Sequence, residues 1–382
     1  MRNQKMSSAG FSLVEILVGM VMGLLGIIII FQVFEVSEGI KRTSTSGGDA
    51  MQYGALALYT LERDLRQAGS GINNLQMAGC NTLSYDEELT PSIRPAVTMV
   101  PVIIGLNLDP KLPDSLTITY GNSQTQSTPV KMTNTMATGT SFLKVDNRYG
   151  FLPGNRILIS EPGKPCWIAQ ITALPDTAPE SDQIWHDTGT YQDANNNTVS
   201  ARYNGPTGFT DTTGVVTLYT EAARIYNLSS TPTRDIFSVA NSQLMLDSNR
   251  MTAGPGAIAD NVVQLKAQYG HDNGVNDGSV VNTTYAPDDG MVDNYTNTMP
   301  SPAAAADWMQ VIAVRLAVVA RSAQVEKPKV SGGPCDATTV APTWAGGNLD
   351  LTADPNWKCY RYRVFESIVP LRNAIWQAKE AK

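Results

Sequence analysis

The sequence predicts an α+β protein, in which one long N-terminal helix packs on a large, antiparallel β-rich body with long loops. Residues 11–34 are an apolar run whose only ionisable side chain is Glu15. Beyond Gly71, short runs rich in β-branched and aromatic residues alternate with loops of Pro, Gly, Asn and Thr. The chain has 382 residues with 31 Gly and 22 Pro, so it is long enough to bury a large core and is rich in turns.

The apolar run is long enough to cross a membrane as a helix. About 24 residues at ~1.5 Å per residue span the ~30 Å of hydrocarbon in a bilayer. A carboxylate inside such a segment costs roughly 2.5–3.5 kcal/mol, so Glu15 is predicted to be functional. A plain anchor or a secretory signal is the alternative. A signal places small residues after its apolar core, whereas Ala9 and Gly10 precede it here.

The helix is expected to continue to about residue 68, with a soft break at Gly47-Gly48. Glu62 and Arg66 are spaced for an ion pair on one face, and Gly69 is placed to end the helix. On another face, apolar residues recur at three- and four-residue spacing, which predicts a buried stripe of Met51, Ala55, Leu58, Leu61 and Leu65.

The body is predicted to consist of many short strands. The shorter ones are expected at 97–104, 115–120, 141–146, 156–160, 166–172, 214–220, 236–240 and 243–247. Longer strands are expected at 258–269, 311–320 and 360–370, with a short helix at 303–308. The polar segments 176–213 and 271–300 are predicted to be long surface insertions.

The side chains present do not indicate an enzyme or a resident cofactor. The two histidines, His186 and His271, lie in loop-like sequence, and no nucleophile elbow, phosphate-binding loop, dinucleotide fingerprint or His-Glu-x-x-His pattern occurs. The acidic pairs Glu87-Glu88 and Asp288-Asp289 are typical of solvated loops. The net charge of −7 argues against nucleic-acid binding by the body.

The four cysteines predict two disulfides, because their number is even and the body is expected to be exported. Three connectivities are open for Cys80, Cys166, Cys335 and Cys359. Only a Pro/Gly/Ala-rich loop separates Cys335 from Cys359, so we expect that pair, and Cys80–Cys166 by exclusion.

One acidic loop is a candidate Ca²⁺ site, because Ca²⁺ prefers oxygen ligands from flexible acidic loops. The EF-hand spacing is not met, and the alternative is a solvated loop in which Asn and Asp supply turn chemistry. The candidate ligands within 271–293 are Asp272, Asp277, Asp288, Asp289 and Asp293.

The segment Gly10-Phe11-Ser12-Leu13-Val14-Glu15 resembles the class III signal of type IV prepilins and of type II secretion pseudopilins. In that family the prepilin peptidase cuts after the glycine and the new first residue is methylated. The resemblance therefore implies cleavage after Gly10 and N-methylation of Phe11. It also implies that Glu15 acts in assembly. Arg2 and Lys5 favour a cytoplasmic leader, which places the body in the periplasm.

Later segments resemble PilW-type minor pilins, namely residues 61–69 with Cys80, 260–270, 308–322, and 362–365 with 371–373. The implied division of the chain is a leader at 1–10, a transmembrane assembly helix at 11–34, its amphipathic continuation at 35–68, a β-rich domain at 69–255 and a PilW-like region at 256–382.

This resemblance implies a non-catalytic minor pilin that helps to initiate a type IV pilus and sits at its tip, used for twitching motility, adhesion or DNA uptake. The implied partners are the inner membrane, other minor pilins (PilV, PilX, PilE and FimU-type), the major pilin, a tip adhesin, the platform proteins and the prepilin peptidase. Two alternatives stay open. One is a GspJ-like pseudopilin of type II secretion, and the other is a pilus-mounted adhesin or Ca²⁺-dependent ligand-binding module.

Overall fold

A computed structural model describes residues 12–72, 77–89, 92–123, 125, 128–193, 195–249, 254–272, 290–299, 305–326, 328 and 332–374. The chain begins with one long helix, α1 (Leu13–Leu65), and continues into a β-rich body that carries a short helix, α2 (Ala305–Met309), and a 3-10 turn at Trp357–Cys359. This is the predicted α+β architecture. Gly10, Phe11, Asp277, Asp288 and Asp289 lie outside the described residues.

Helix α1 is continuous through Gly47 and Gly48, so the predicted break is wrong. Within the described part of the chain, no atom outside the helix lies within 4 Å of the position that a Cβ would take at either glycine. No contact therefore bends the helix, and two glycines reduce its stability without interrupting it. The helix ends close to the expected place, where Gly69 adopts a left-handed φ of 76° and its N–H donates to the Thr119 carbonyl at 2.9 Å.

The strands of the body are short, as the alternating sequence predicts. In chain order they are β1 (Cys80–Tyr85), β2 (Ile93–Met99), β3 (Val102–Gly105), β4 (Ser115–Tyr120), β5 (Val130–Lys131), β6 (Leu143–Lys144), β7 (Arg156–Ser160), β8 (Cys166–Gln170), β9 (Gln183–Ile184), β10 (Thr190–Gln192), β11 (Thr198–Ser200), β12 (Arg224–Ser229), β13 (Thr233–Ala240), β14 (Gln243–Ser248), β15 (Gly256–Asp260), β16 (Val262–His271), β17 (Asn294–Thr296), β18 (Val311–Arg321), β19 (Thr343–Trp344), β20 (Gly347–Asn348) and β21 (Tyr362–Pro370).

Three larger sheets organise the described strands. A four-stranded antiparallel sheet has the order β17-β16-β18-β21, and a five-stranded antiparallel sheet has the order β15-β14-β13-β4-β3. A six-stranded sheet has the order β2-β1-β8-β7-β12-β5, in which β1 and β8 run parallel and the other neighbours antiparallel. The small pairs β6-β9, β10-β11 and β19-β20 complete the described sheets.

Two main hydrophobic cores lie between these layers. The first joins α1 to the four- and five-stranded sheets, through residues such as Leu61, Leu116 and Val318. The second is built around Ile157, Trp167 and neighbouring residues of the six-stranded sheet, and it includes no residue of α1. The helix therefore anchors one half of the body, while the other half folds around its own core.

Several predicted strands are shorter or divided, for local reasons. The run at 258–269 is interrupted at Asn261, whose left-handed φ of 56° separates β15 from β16. The run at 97–104 is divided before Val102, because Pro101 has no N–H to donate to a ladder. The run at 141–146 is reduced to the two residues of β6.

The predicted strand at 214–220 does not form. The Asp211 carboxylate accepts hydrogen bonds from the N–H groups of Thr213 and Val215, at 2.8 and 2.9 Å, and holds this stretch as a turn. A single bridge, between Thr210 and Val216, closes the turn.

Most described residues of the segment 176–213 are exposed, as predicted for a surface insertion, but part of it enters the interior. It contributes Ile184 and Phe209 to the second core, and the buried His186 ring stacks on Phe209 at a centroid distance of 4.7 Å. His271 was also predicted in a loop, but it lies on β16 and is buried. Both histidines are therefore part of the folded interior.

The two disulfides have the predicted pairing. Cys80–Cys166 joins β1 to β8 with a Cα–Cα distance of 6.0 Å, and Cys335–Cys359 closes the loop before β21 with a Cα–Cα distance of 4.8 Å. The first bridge fastens together two parallel strands that are 86 residues apart in the chain.

The body is expected to lose stability as the pH falls below about 6.5, in part through His186. Burial lowers the pKa of His186 below its ordinary value of 6.5, although the hydrogen bond to the Ser141 carbonyl and the nearby Asp187 act in the opposite direction. The folded state holds the ring neutral, while the unfolded chain binds a proton. The stabilisation is therefore complete above pH 6.5 and is lost as pH falls toward the lowered pKa.

Thermal melts of the wild-type chain and of His186→Gln between pH 7.5 and 5 test this expectation. The variant should be less stable at pH 7.5 but should lose less of its remaining stability on acidification. Parallel melting curves for the two proteins across this range would contradict it.

Candidate assembly surface

The N-terminal half of α1 projects away from the body. Residues Leu13–Lys41 have a mean hydropathy of 2.7 over their most apolar window, and none of that window is buried. By length and composition this segment is able to cross a membrane. Glu15 lies in its first turn, and among the described residues no basic group lies within ion-pair distance of the Glu15 carboxylate. Residues 13–34 of this segment therefore present an apolar surface whose only ionisable side chain is Glu15, near its N-terminal end.

The C-terminal half of α1 packs on β15, β16, β18 and β21, but not through the whole predicted stripe. Leu61 and Leu65 are buried and Leu58 is partly buried, as expected. Met51 and Ala55 are exposed instead, with 54% of Met51 accessible. The buried face is completed by the small residues Ala50, Gly54 and Ala57. The three- and four-residue spacing of the buried residues was predicted correctly. Its N-terminal members, Met51 and Ala55, were assigned to the wrong side of the helix.

Gly54 allows the helix to approach the sheet closely. A Cβ at this position would lie 2.0 Å from Cε2 of Phe365 on β21, which is far inside van der Waals contact. The absence of a side chain at Gly54 thus leaves space for the aromatic ring. Hydrophobic periodicity could not find this contact, but the spacing of small residues could have indicated it.

Gly54→Leu is expected to destabilise the body by about 3 kcal/mol, because the side chain must displace Phe365 from a packed core. Ala55→Leu is the matched control, since it adds the same side chain one position away on the exposed face and should change stability by less than about 0.5 kcal/mol. Denaturant unfolding of the full chain in detergent measures both. Equal effects of the two substitutions would show that Gly54 is not a close-packing position.

The end of α1 is tied to the C-terminal part of the chain. The Asn373 side-chain amide donates to the carbonyls of Gln67 and Ala68, at 3.4 and 2.9 Å, just beyond the last helical turn. The predicted Glu62–Arg66 ion pair forms at 2.9 Å on the outer side. Sequence reasoning included Asn373 in a resembling segment but gave it no role, because its partner lies about 300 residues away.

The outer side of the same helical segment carries apolar groups that the body does not cover. Met51, Leu56 and Tyr59 are 54%, 46% and 66% exposed. They continue the uncovered apolar surface of Leu13–Lys41 beyond the segment that is able to cross a membrane. The long helix therefore has one face for the body and another that remains accessible along its length.

The acidic loop is only partly described. Asp272 is 1% exposed, and its carboxylate accepts the Gly290 N–H at 2.9 Å, which holds the two ends of the loop together. Its own N–H donates to the Gln310 carbonyl at 2.9 Å. Across the described ranges, no group of three His, Cys, Asp or Glu residues is arranged to hold a metal ion. Since Asp277, Asp288 and Asp289 lie outside those ranges, the Ca²⁺ site remains a prediction.

Taken together, a protruding apolar helix that is long enough to cross a membrane and a disulfide-linked, largely antiparallel body define an α+β protein. Residues 225–373 match the family described as Type IV Pilus-assembly protein W. The matched part runs from β12 to Asn373 and covers less than half of the chain. It confirms the resemblance to PilW-type proteins and supports a role related to type IV pilus assembly. No curated protein and no solved structure matches the chain.

Proposed function

We propose that this chain is a minor pilin that helps to initiate a type IV pilus and remains at its tip, without catalytic activity. The observation that carries the proposal is the division of α1. Its C-terminal half is fixed to the body, while its apolar N-terminal half, with Glu15, is uncovered. Such a helix remains in the inner membrane until other subunits pack against it.

Glu15 sets the register of that packing. A carboxylate in apolar surroundings favours a cationic partner, and bringing two such charges together offsets the desolvation of each. By family resemblance the partner is the α-amine of a neighbouring subunit, after cleavage at Gly10 and methylation of its first residue. The partners we propose are PilV-, PilX-, PilE- and FimU-type minor pilins, the major pilin and a tip adhesin.

The tip position follows from the size of the body. The body holds three larger sheets and two main cores and is attached to the C-terminal half of the helix, and such a body is too bulky to repeat at high copy along a thin filament. A tip subunit has neighbours on one side only. The body is placed on the periplasmic side before assembly, because the basic leader favours the cytoplasm.

Deletion and rescue in the source cells test this proposal. Loss of the gene should strongly reduce surface pili, and an epitope on the body should be labelled by immunogold at pilus ends. Intact mass of the protein from membranes should begin at methylated Phe11, whereas Gly10→Val should retain the leader. Labelling along the whole filament would contradict the tip position, and a mature chain beginning after residue 34 would contradict the pilin assignment.

A further inference from the structure

The last strand of the body, β21, forms a long and regular edge of the four-stranded sheet. Its nine residues pair with β18 without a bulge, from Tyr362 opposite Arg321 to Pro370 opposite Ala313. On its other side, no described strand lies next to it in that sheet. At ~3.3 Å per residue, β21 therefore presents an unpaired edge about 30 Å long.

The backbone groups of alternate residues of β21 point away from the sheet. The N–H of Leu371, just beyond the strand, donates to the Ile312 carbonyl at 2.7 Å. Hydrogen-bonded and non-hydrogen-bonded residues alternate in an antiparallel pair, so the odd-numbered residues of β21 bond to β18. The N–H and C=O groups of Val364, Glu366 and Ile368 point outward instead. No described residue is hydrogen-bonded to these outward groups, so they form a ladder with one side missing.

The other outer strands of the three larger sheets are short or interrupted, whereas β21 is not. β5, β17, β3 and β15 have two to five residues. β2 contains Pro95 and pairs with β1 across an irregularity in register. Proteins shorten or interrupt their sheet edges in this way because an open edge pairs readily with another strand. The exception at β21 indicates an edge that accepts an extended peptide.

Three arginines without a carboxylate partner flank this edge. Arg363 and Arg372 are exposed, and Arg315 lies on the neighbouring strand β18. Among the described residues, no carboxylate lies within ion-pair distance of these three guanidinium groups. Arg315 donates only to the neutral Gln268 side chain, at 3.1 and 2.5 Å. Since Glu366 is the one acidic residue of β21, the edge is locally basic on a chain whose net charge is −7.

We propose that β21 accepts an acidic, extended segment of another protein as an added strand. The main chain of that segment bonds to the outward groups of β21, and its carboxylates lie opposite Arg363 and beside Arg315. A second copy of this chain is the poorer occupant, because two β21 edges bring like charges together. This inference does not rest on the role in pilus assembly, since the edge is formed by the body alone.

Strand addition is tested with the full chain in a non-ionic detergent. The probes are two fluorescent peptides, three repeats of Thr-Val-Asp and three repeats of Thr-Val-Lys, and binding is followed by anisotropy. We expect the acidic peptide to bind saturably and the lysine peptide to bind about tenfold more weakly or not at all. Hydrogen exchange at single-residue resolution is the second measurement. The amides of Val364, Glu366 and Ile368 should exchange rapidly in the free chain and become protected by the acidic peptide.

Ile368→Pro is the most specific variant, because it removes an outward N–H that does not bond to β18. It should fold, with unchanged near-UV circular dichroism, but should no longer bind the acidic peptide. Ile368→Ala is the matched control, since it truncates the same exposed side chain and keeps the N–H, and it should bind as the wild type does. Arg363→Glu leaves the backbone unchanged and should weaken binding about tenfold, which keeps the test decisive if the proline variant does not fold.

Several results would overturn the proposal. The acidic peptide does not bind at millimolar concentration, both peptides bind equally well, or both Arg363→Glu and a folded Ile368→Pro bind normally. Protection of the three outward amides in the free chain would mean that another segment of the same chain covers the edge. A dimer that Ile368→Pro dissociates would assign the edge to a second copy. These measurements use purified protein, so their outcome is separate from the piliation test.

Discussion

Replacing Glu15 with valine is expected to remove the protein from pili while its amount in the membrane stays unchanged. The substitution eliminates an insertion cost of roughly 2.5–3.5 kcal/mol, so membrane insertion should not suffer. Assembly should fail, because the apolar surface of residues 13–34 then has no charge to fix its register against a cationic partner. Surface pili are counted by electron microscopy, and membrane levels are measured by immunoblot.

Gln32→Val is the matched control for this prediction. Gln32 is a polar, exposed residue of the same helix, and its replacement also increases apolarity, but it removes no charge. This variant should support normal piliation. Normal piliation by Glu15→Val would show that the carboxylate does not set the register of assembly.

Removing the Cys80–Cys166 disulfide is expected to cost the body about 4.5 kcal/mol, because the bridge closes a long loop in the unfolded chain. It also joins β1 to β8, two paired strands that are separated by a long stretch of chain. The matched comparison is Cys335–Cys359, whose shorter loop predicts a loss of about 3.5 kcal/mol.

Two variants are compared, Cys80→Ser/Cys166→Ser and Cys335→Ser/Cys359→Ser. Denaturant unfolding of the full chain in detergent gives the free energy of unfolding that each variant loses. The variant lacking Cys80–Cys166 should be the less stable of the two. The opposite order would mean that loop length does not dominate, and that contacts around the Cys335–Cys359 loop carry more of the stability than chain entropy does.

The features that were read correctly depend on nearby residues. A long apolar run with one carboxylate specified the protruding half of α1, and the strands of β4 and β7 followed from continuous apolar or alternating residues at 115–120 and 156–160. The Cys335–Cys359 pair could be inferred because its loop is short. In each case the residues that carry the signal lie close together in the sequence.

The features that were missed depend on distant partners. Periodicity showed that α1 has a buried stripe, but Phe365, more than 300 residues away, decides that Gly54 rather than Ala55 faces the sheet. His186 lies in a loop, as predicted, but its burial was missed, because Phe209 and the core that cover it are not visible in the neighbouring sequence. The loops 145–151 and 174–182 meet through Arg148 and Asp176, and no motif marks that contact.

The bond between Asn373 and the end of α1 has a consequence for the timing of biosynthesis. The helix leaves the ribosome before the strand and the cap that cover it, with 306 residues between Asn373 and Gln67. At about 5–20 residues per second, roughly 15–60 s separate the two events. During that interval the close-packing position at Gly54 has no strand to cover it. A nascent chain thus carries a complete α1 before its body is able to close, and a message truncated before the codons for β21 yields a helix that lacks the strand which covers Gly54.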